Sequence, residues 1–190
     1  MKAVFMGTPD FSVGTLNAMY EAGHEIAAVF TQPDKQKGRG KSVLMTPVKE
    51  KALELGIPVY QPVKLKEQEN YELLKSINPD VIVVVAYGQL ISKEILELPR
   101  YGCINVHASL LPKYRGAAPI QWAVIDGEHE SGVTTMKMDE KLDTGDMIMK
   151  TVVELDSNET GGSLHDKLAD EGARLLVKTL KAIEDGTAIY

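Results

Sequence analysis

"DVIVVVAYG" (residues 80–88) is the stretch that decides the fold. After Asp80 the chain runs through branched aliphatic residues without a polar break and closes on Ala-Tyr-Gly. A strand with one wet face alternates apolar and polar residues. This one does not, so both of its faces must be covered, as at the centre of a parallel sheet flanked by helices. Working outward, "KAVFMG" (2–7) reads as a buried strand ending at Gly7, "FSVGTLNAMYEAG" (11–23) as a helix with a glycine stop, and "EIAAVFT" (25–31) as a further strand. Thr46 is placed to cap a helix that has Pro47 in its first turn and runs to Gly56. "PVYQP" reads as a short strand, "KEQENYELLKSI" (66–77) and "SKEILEL" (92–98) as helices, and "CINVH" (103–107) as another buried strand.

This alternation predicts an α/β chain with a doubly wound, mostly parallel sheet. The pattern changes after residue 107. "APIQWAVIDG" (118–127) predicts a helix. "SGVTTMKM" (131–138) and "DMIMKTVVEL" (146–155) predict late antiparallel strands, because only a short link joins them. A final helix runs from Thr160 to about Asp185, with Leu164, Leu168, Leu175, Leu176, Leu180 and Ile183 on its apolar face. No repeat or linker interrupts the sequence, which predicts one domain over residues 1–190.

At 44% hydrophobic and 25% charged residues over 190 residues, the composition is that of an ordinary globular chain. The net charge of −6 excludes general affinity for nucleic acid, although it is compatible with a local basic patch. One such patch exists. The polar loop "QPDKQKGRGKSVLM" (32–45) carries Lys35, Lys37, Arg39 and Lys41. The lone Cys103 excludes an internal disulfide and fits a reducing compartment. "MKAVFMGTPD" is too short for a signal peptide, and no segment approaches the roughly 18 apolar residues of a membrane span. The expected location is the cytoplasm, with no membrane partner.

Several motifs fail on inspection. "GTPDF" (7–11) sits where a dinucleotide fingerprint would, but Pro9 replaces its second glycine. "GRGKS" (38–42) resembles the end of a phosphate loop, yet Lys35 stands where the first glycine belongs. "EHE" (128–130) has no further metal-ligand cluster and reads as a solvated turn. His24 follows a helix stop, and His165 falls on a helix surface. Cys103 has apolar neighbours and reads as an inert core thiol. No spacing offers a metal site.

What survives is a pair. Ligands gather beyond the carboxyl ends of parallel strands. Asn105 and His107, as alternate residues, share one face of the 103–107 strand at that end. The spacing alone leaves open a buried polar pair tied to backbone groups. The link "DEKLDTGDM" (139–147) then supplies carboxylates, and one brought beside His107 would orient the imidazole and stabilise its protonated form. On spacing, Asp143 and Asp146 both qualify, and a solvated acidic turn remains open.

"GTPDF" (7–11), "TQPDKQKGRGK" (31–41), "NVHASLLPKYRGAAPIQWA" (105–123) and "LDTGDM" (142–147) resemble, in order and spacing, the methionyl-tRNA formyltransferases. Asn-x-His with a later Asp-x-Gly-Asp is shared by folate-dependent formyltransferases generally. The resemblance implies a catalytic trio of Asn105, His107 and Asp143. It also implies a folate site at Ser109, Leu110, Leu111 and Pro112, with "VAYGQLI" (85–91) lining the pterin pocket through Tyr87, Gly88, Gln89 and Leu90. The co-substrate would be 10-formyltetrahydrofolate, with no metal, and the partner initiator methionyl-tRNA. Lys35, Lys37, Arg39 and Lys41 would meet tRNA phosphates, staying flexible until tRNA orders them.

Gly14 departs from the family, which often has Pro there. The family would also continue past Tyr190 through a linker into a small β-barrel that helps hold tRNA. In the implied reaction the methionyl α-amino group attacks the formyl carbon. Asn105 and His107 stabilise the tetrahedral intermediate, and Asp143 assists proton transfer. Two alternatives stay open: a formyltransferase for an amino-sugar nucleotide, and a non-catalytic folate-binding remnant.

Overall fold

The computed structural model describes residues 1–40 and 42–190, which form two compact units, Met1–Cys103 and Ile104–Tyr190. The first unit is the parallel part of the fold. Its main strands are β1 (Lys2–Gly7), β2 (Glu25–Phe30), a short β5 (Val59–Tyr60) and β6 (Val81–Val85). They lie in the order β5-β2-β1-β6, every neighbouring pair parallel. From β1 the chain winds outward through β2 to β5, then returns to place β6 on the other side of β1. That reversal creates a switch point at the carboxyl ends of β1 and β6, where open parallel sheets bind ligands.

The aliphatic run behaves as its composition requires, with Val81, Ile82, Val83 and Val85 fully buried. The strand ends at Val85, short of the expected Gly88. Ala86 and Gly88 take φ values of 49° and 97°, and an extended ladder cannot continue through left-handed backbone.

Helices α1 (Asp10–Glu21), α2 (Pro47–Glu54), α3 (Gln68–Ile77) and α4 (Lys93–Glu97) complete this unit. Thr46 caps α2 by accepting from the Lys49 amide at 3.1 Å, and Ser92 caps α4 by accepting from the Ile95 amide. The 32–45 stretch is not a plain loop. Lys35–Gln36 (β3) and Val43–Leu44 (β4) pair antiparallel, and the Lys37 amide donates to the Ser42 carbonyl at 3.0 Å.

The second unit is antiparallel. It contains β7 (Cys103–His107, which opens on the last residue of the first unit), α5 (Pro119–Ile125), β8 (Glu130–Lys137), β9 (Asp146–Glu154) and α6 (Gly161–Asp185). β8 pairs antiparallel with both β7 and β9, and α6 packs on β8, β9 and α5. The α6 face is the one its spacing predicts. Leu164, Leu168, Leu176 and Leu180 are fully buried, each contributing about 1.5–3 kcal/mol of apolar burial.

A reciprocal capping box starts the helix: Thr160 Oγ1 accepts from the Ser163 amide at 3.1 Å, and Ser163 Oγ accepts from the Thr160 amide at 3.0 Å. Gly172 allows α6 to approach β7, since a Cβ there would meet Val106 Cγ1 at 3.1 Å. The α/β class, with a mostly parallel sheet and late antiparallel strands, is the one the alternation predicts.

Candidate active site

Strand β7 sorts its residues by period two. Ile104 and Val106 are buried at 0% and 4% exposure, while Asn105 on the opposite face is half-buried, with Oδ1 itself buried. His107 ends the strand on the same face as Asn105. The segment that follows is wired to β8 and β9. Thr134 stands opposite His107 in register. Its hydroxyl donates to the Ser109 carbonyl at 2.7 Å and accepts from the Leu111 amide at 3.1 Å. Lys150 Nζ donates to the Leu111 carbonyl at 2.6 Å, and Ser109 Oγ donates to the Lys113 carbonyl at 2.6 Å. A strand followed by so many local ties holds its last side chain in place.

Both ring nitrogens of His107 have assigned directions. Nε2 lies 2.8 Å from the Tyr114 carbonyl oxygen. A carbonyl only accepts, so Nε2 carries a proton. Nδ1 faces Asp143 Oδ1 at 3.7 Å, with the two side chains only 9% and 10% exposed. Asp143 is fixed in turn: Oδ2 accepts the Gly116 amide at 2.6 Å, and its backbone carbonyl accepts Arg115 Nε at 3.1 Å. Its φ of 52° is left-handed, a region aspartate tolerates better than most residues.

The link carrying Asp143 is a built turn. Asp139 Oδ1 accepts from the Lys141 amide at 2.9 Å and from Thr144 Oγ1 at 2.8 Å. These bonds, Thr144 first, hold the Asp139 carboxyl below its ordinary value. At Gly145 a Cβ would collide with the Lys137 carbonyl oxygen, so the turn closes only with glycine there. Asp146 opens β9 opposite Lys137 at an exposed position. The carboxylate brought to His107 is therefore that of Asp143.

The other sequence-predicted residues fall as follows. Ser109 and Leu111 are buried at 1% and 2% exposure, Leu110 is half-buried and Pro112 is exposed. A pocket of about 210 Å³ is lined by Leu110, Pro112, Lys113, Tyr114, Glu130 and Ser131. In the first unit, Tyr87 to Leu90 follow β6 at the switch point, and Thr8 Oγ1 after β1 donates to the Tyr87 carbonyl at 2.7 Å. The Tyr87 ring is buried, its hydroxyl has no hydrogen-bond partner among the described residues, and burial pushes its ionisation up to about 12. The Gln89 amide ties its own unit together, accepting from the Leu65 amide at 2.7 Å and donating to the Pro62 carbonyl and Gln32 Oε1. Gly88 and Leu90 are exposed.

Lys35, Lys37 and Arg39 project from the hairpin as exposed residues, while Lys41 lies outside the described residues. Among the described residues, no group of three or more His, Cys, Asp and Glu side chains is arranged to hold a metal ion.

Motif and spacing do not single out Tyr114, Thr134 or Lys150. Thr134 is accessible from register, since antiparallel pairing of β8 with β7 sets it opposite His107. Tyr114 and Lys150 act through carbonyl contacts that no spacing reveals. "EHE" is more than a solvated turn. Glu128 accepts from Tyr114 Oη at 3.0 Å and from Lys113 Nζ at 3.4 Å, and Glu130 opens β8.

Comparison with known proteins shows the family to which the chain belongs. Methionyl-tRNA formyltransferases from Agathobacter rectalis and Clostridioides difficile are 68% and 62% identical to the chain over 100% and 99% of its length. The chain spans 61% of the length of each of these curated relatives. Among solved structures, phosphoribosylglycinamide formyltransferase from Streptococcus pneumoniae superposes with a TM-score of 0.78 at 22% identity, over 96% of this chain and 97% of that one. The N-formyltransferase of Helicobacter canadensis, solved with folinic acid and dTDP-3-aminofucose, gives a TM-score of 0.74 at 23% identity, over 100% of this chain and 66% of its own. A family model described as formyl transferase matches residues 1–180, and the chain belongs to that family.

Proposed function

We propose that this chain carries out formyl transfer from 10-formyltetrahydrofolate to the α-amino group of methionyl initiator tRNA, in the cytoplasm. The observation that carries the reading is the buried His107–Asp143 pair, with Nδ1 and Oδ1 3.7 Å apart at the end of β7. The identity of 68% to a methionyl-tRNA formyltransferase supports the choice of acceptor.

The folate co-substrate supplies an activated formyl group. Asn105 donates its amide N–H to the oxyanion that develops on the formyl oxygen, a type of contact whose removal typically costs about 10²–10³ in rate. His107 presents Nδ1 to the same charge and moves a proton there, worth roughly 10²–10⁴. Asp143 stabilises the imidazolium and, directly or through water, accepts the proton from the attacking amine, which must be neutral to react. As the intermediate collapses, the bond from the formyl carbon to the folate N10 breaks and N10 leaves with that proton as tetrahydrofolate.

Leu110 and Pro112, the accessible members of their segment, contact the folate. The buried Tyr87, whose hydroxyl has no hydrogen-bond partner among the described residues, supports the proposal that the 87–90 segment lines the pterin pocket. Lys35, Lys37, Arg39 and Lys41 contact tRNA phosphates, where a basic hairpin on an acidic chain is well suited.

The test mixes the chain with 10-formyltetrahydrofolate and either methionyl-tRNA or an amino-sugar nucleotide, and follows folate deformylation together with the formylated product. Formylmethionyl-tRNA is the expected product. Formylation of the sugar nucleotide alone would overturn the choice of acceptor, and the absence of deformylation with either would overturn the reaction.

A further inference from the structure

Tyr114 joins two networks through its two ends. Its backbone carbonyl accepts from His107 Nε2 at 2.8 Å. Its phenol donates to Asp126 Oδ2 at 2.6 Å and to Glu128 Oε1 at 3.0 Å. Between these ends the residue sits at φ 54°, left-handed backbone that a bulky L residue adopts only when its surroundings hold it there. The phenol is the evident hold. Its proton is shared between two carboxylates, and the hydrogen bond to Asp126, followed by burial and the bond to Glu128, keeps the hydroxyl un-ionised well above the ordinary tyrosine range. Lys113 Nζ closes the cluster on Glu128 at 3.4 Å.

The consequence reaches the imidazole. Which ring nitrogen of a histidine is free to react is set by the bond that the other one makes. With Nε2–H committed to the Tyr114 carbonyl, Nδ1 is left as the working nitrogen, and it is Nδ1 that faces Asp143. A Tyr114 that relaxed out of the left-handed region would withdraw its carbonyl and let the ring exchange tautomers or rotate.

We propose that Tyr114 is a positioning residue: anchored by Asp126 and Glu128, its carbonyl fixes the His107 ring with Nε2 protonated and Nδ1 turned to Asp143. This rests on the formyl-transfer reading for its catalytic consequence, though not for its geometry.

The test reads the two separately. ¹⁵N NMR of the histidine rings in the whole chain, without substrate, reports the His107 tautomer, and steady-state kinetics report kcat and KM. The expected wild-type signature is protonated Nε2. Tyr114→Phe, which keeps the ring and removes the phenol proton, should mix the tautomers. It should also lower kcat about tenfold to a hundredfold, the range of an ångström-scale misplacement, and leave KM for the formyl donor unchanged. Asp126→Ala with Glu128→Ala should reproduce both effects. Asp126→Asn with Glu128→Gln, whose amide oxygens still accept, should restore most of what the alanine pair loses.

A folded Tyr114→Phe protein with the wild-type ring signature or the wild-type kcat would overturn the proposal. If that variant fails to fold, the alanine pair decides by the same two criteria. An inactive wild-type chain would sink the formyl-transfer reading, and the ring signature would then decide the positioning role alone.

Discussion

Asp143 divides its carboxylate between two tasks: Oδ2 accepts the Gly116 amide at 2.6 Å, while Oδ1 faces His107 Nδ1 at 3.7 Å. The first contact anchors the side chain. The second is too long for a hydrogen bond and within the distance of an ion pair with a protonated imidazole. The arrangement holds a carboxylate beside an imidazole while leaving Nδ1 able to serve a reacting atom.

That division sets the expected outcome of Asp143→Asn. The amide oxygen can still accept from Gly116, so the turn should persist while the charge beside His107 disappears. Formyl transfer should fall by about 10², with the circular dichroism spectrum unchanged. Asp146→Asn, at an exposed position at the start of β9, should have little effect on kcat. If Asp146→Asn proved the more damaging in the same assay, Asp143 would be the wrong acid.

The turn that presents Asp143 should also be acid-sensitive. Thr144 and the Lys141 amide hold the Asp139 carboxyl below its ordinary value of 3.8. A carboxyl lowered in the folded state stabilises it above the unfolded value, and that contribution is lost as pH falls through the folded one. Wild type should therefore unfold at a higher temperature than Asp139→Ala at about pH 6, and the gap should close below the ordinary value. Asp139 is exposed, so solvent keeps the effect small. A gap of the same size at about pH 6 and about pH 3 would remove the carboxylate from the account.

How much of this was legible in the sequence differs from element to element. The 80–88 run announced the buried parallel strand because burial on both faces writes itself as composition, but the end at Val85 was hidden. Ala86 adopts φ 49° without glycine to mark it. The α6 face was readable from helical spacing, and Asn105 and His107 from period two. The choice between Asp143 and Asp146 came from the resemblance and not from spacing, since it depends on Gly145 folding the turn back against Lys137. The Tyr114 carbonyl contact left no trace, because a backbone acceptor has no residue signature. The 32–45 stretch read as a plain loop since each strand of its hairpin is only a residue pair, too short for any alternation to show.

For the basic hairpin, changing Lys35, Lys37, Arg39 and Lys41 together to Ala should weaken use of methionyl-tRNA and leave folate binding unchanged. Every phosphate deprived of its cation should flatten the dependence of log K on log salt by about 0.7–0.9. Titrations of tRNA at several salt concentrations check this. An unchanged slope would reduce the hairpin to a solvated connector and reopen the amino-sugar acceptor.

The most direct measurement is the single-turnover rate of formyl transfer to methionyl-tRNA by His107→Ala, beside wild type at saturating 10-formyltetrahydrofolate. The expected result is a folded protein slowed by at least about 10², since both the Nδ1 proton carrier and the partner of Asp143 are gone. A folded His107→Ala protein that transfers the formyl group at close to the wild-type rate would contradict the mechanism at its centre.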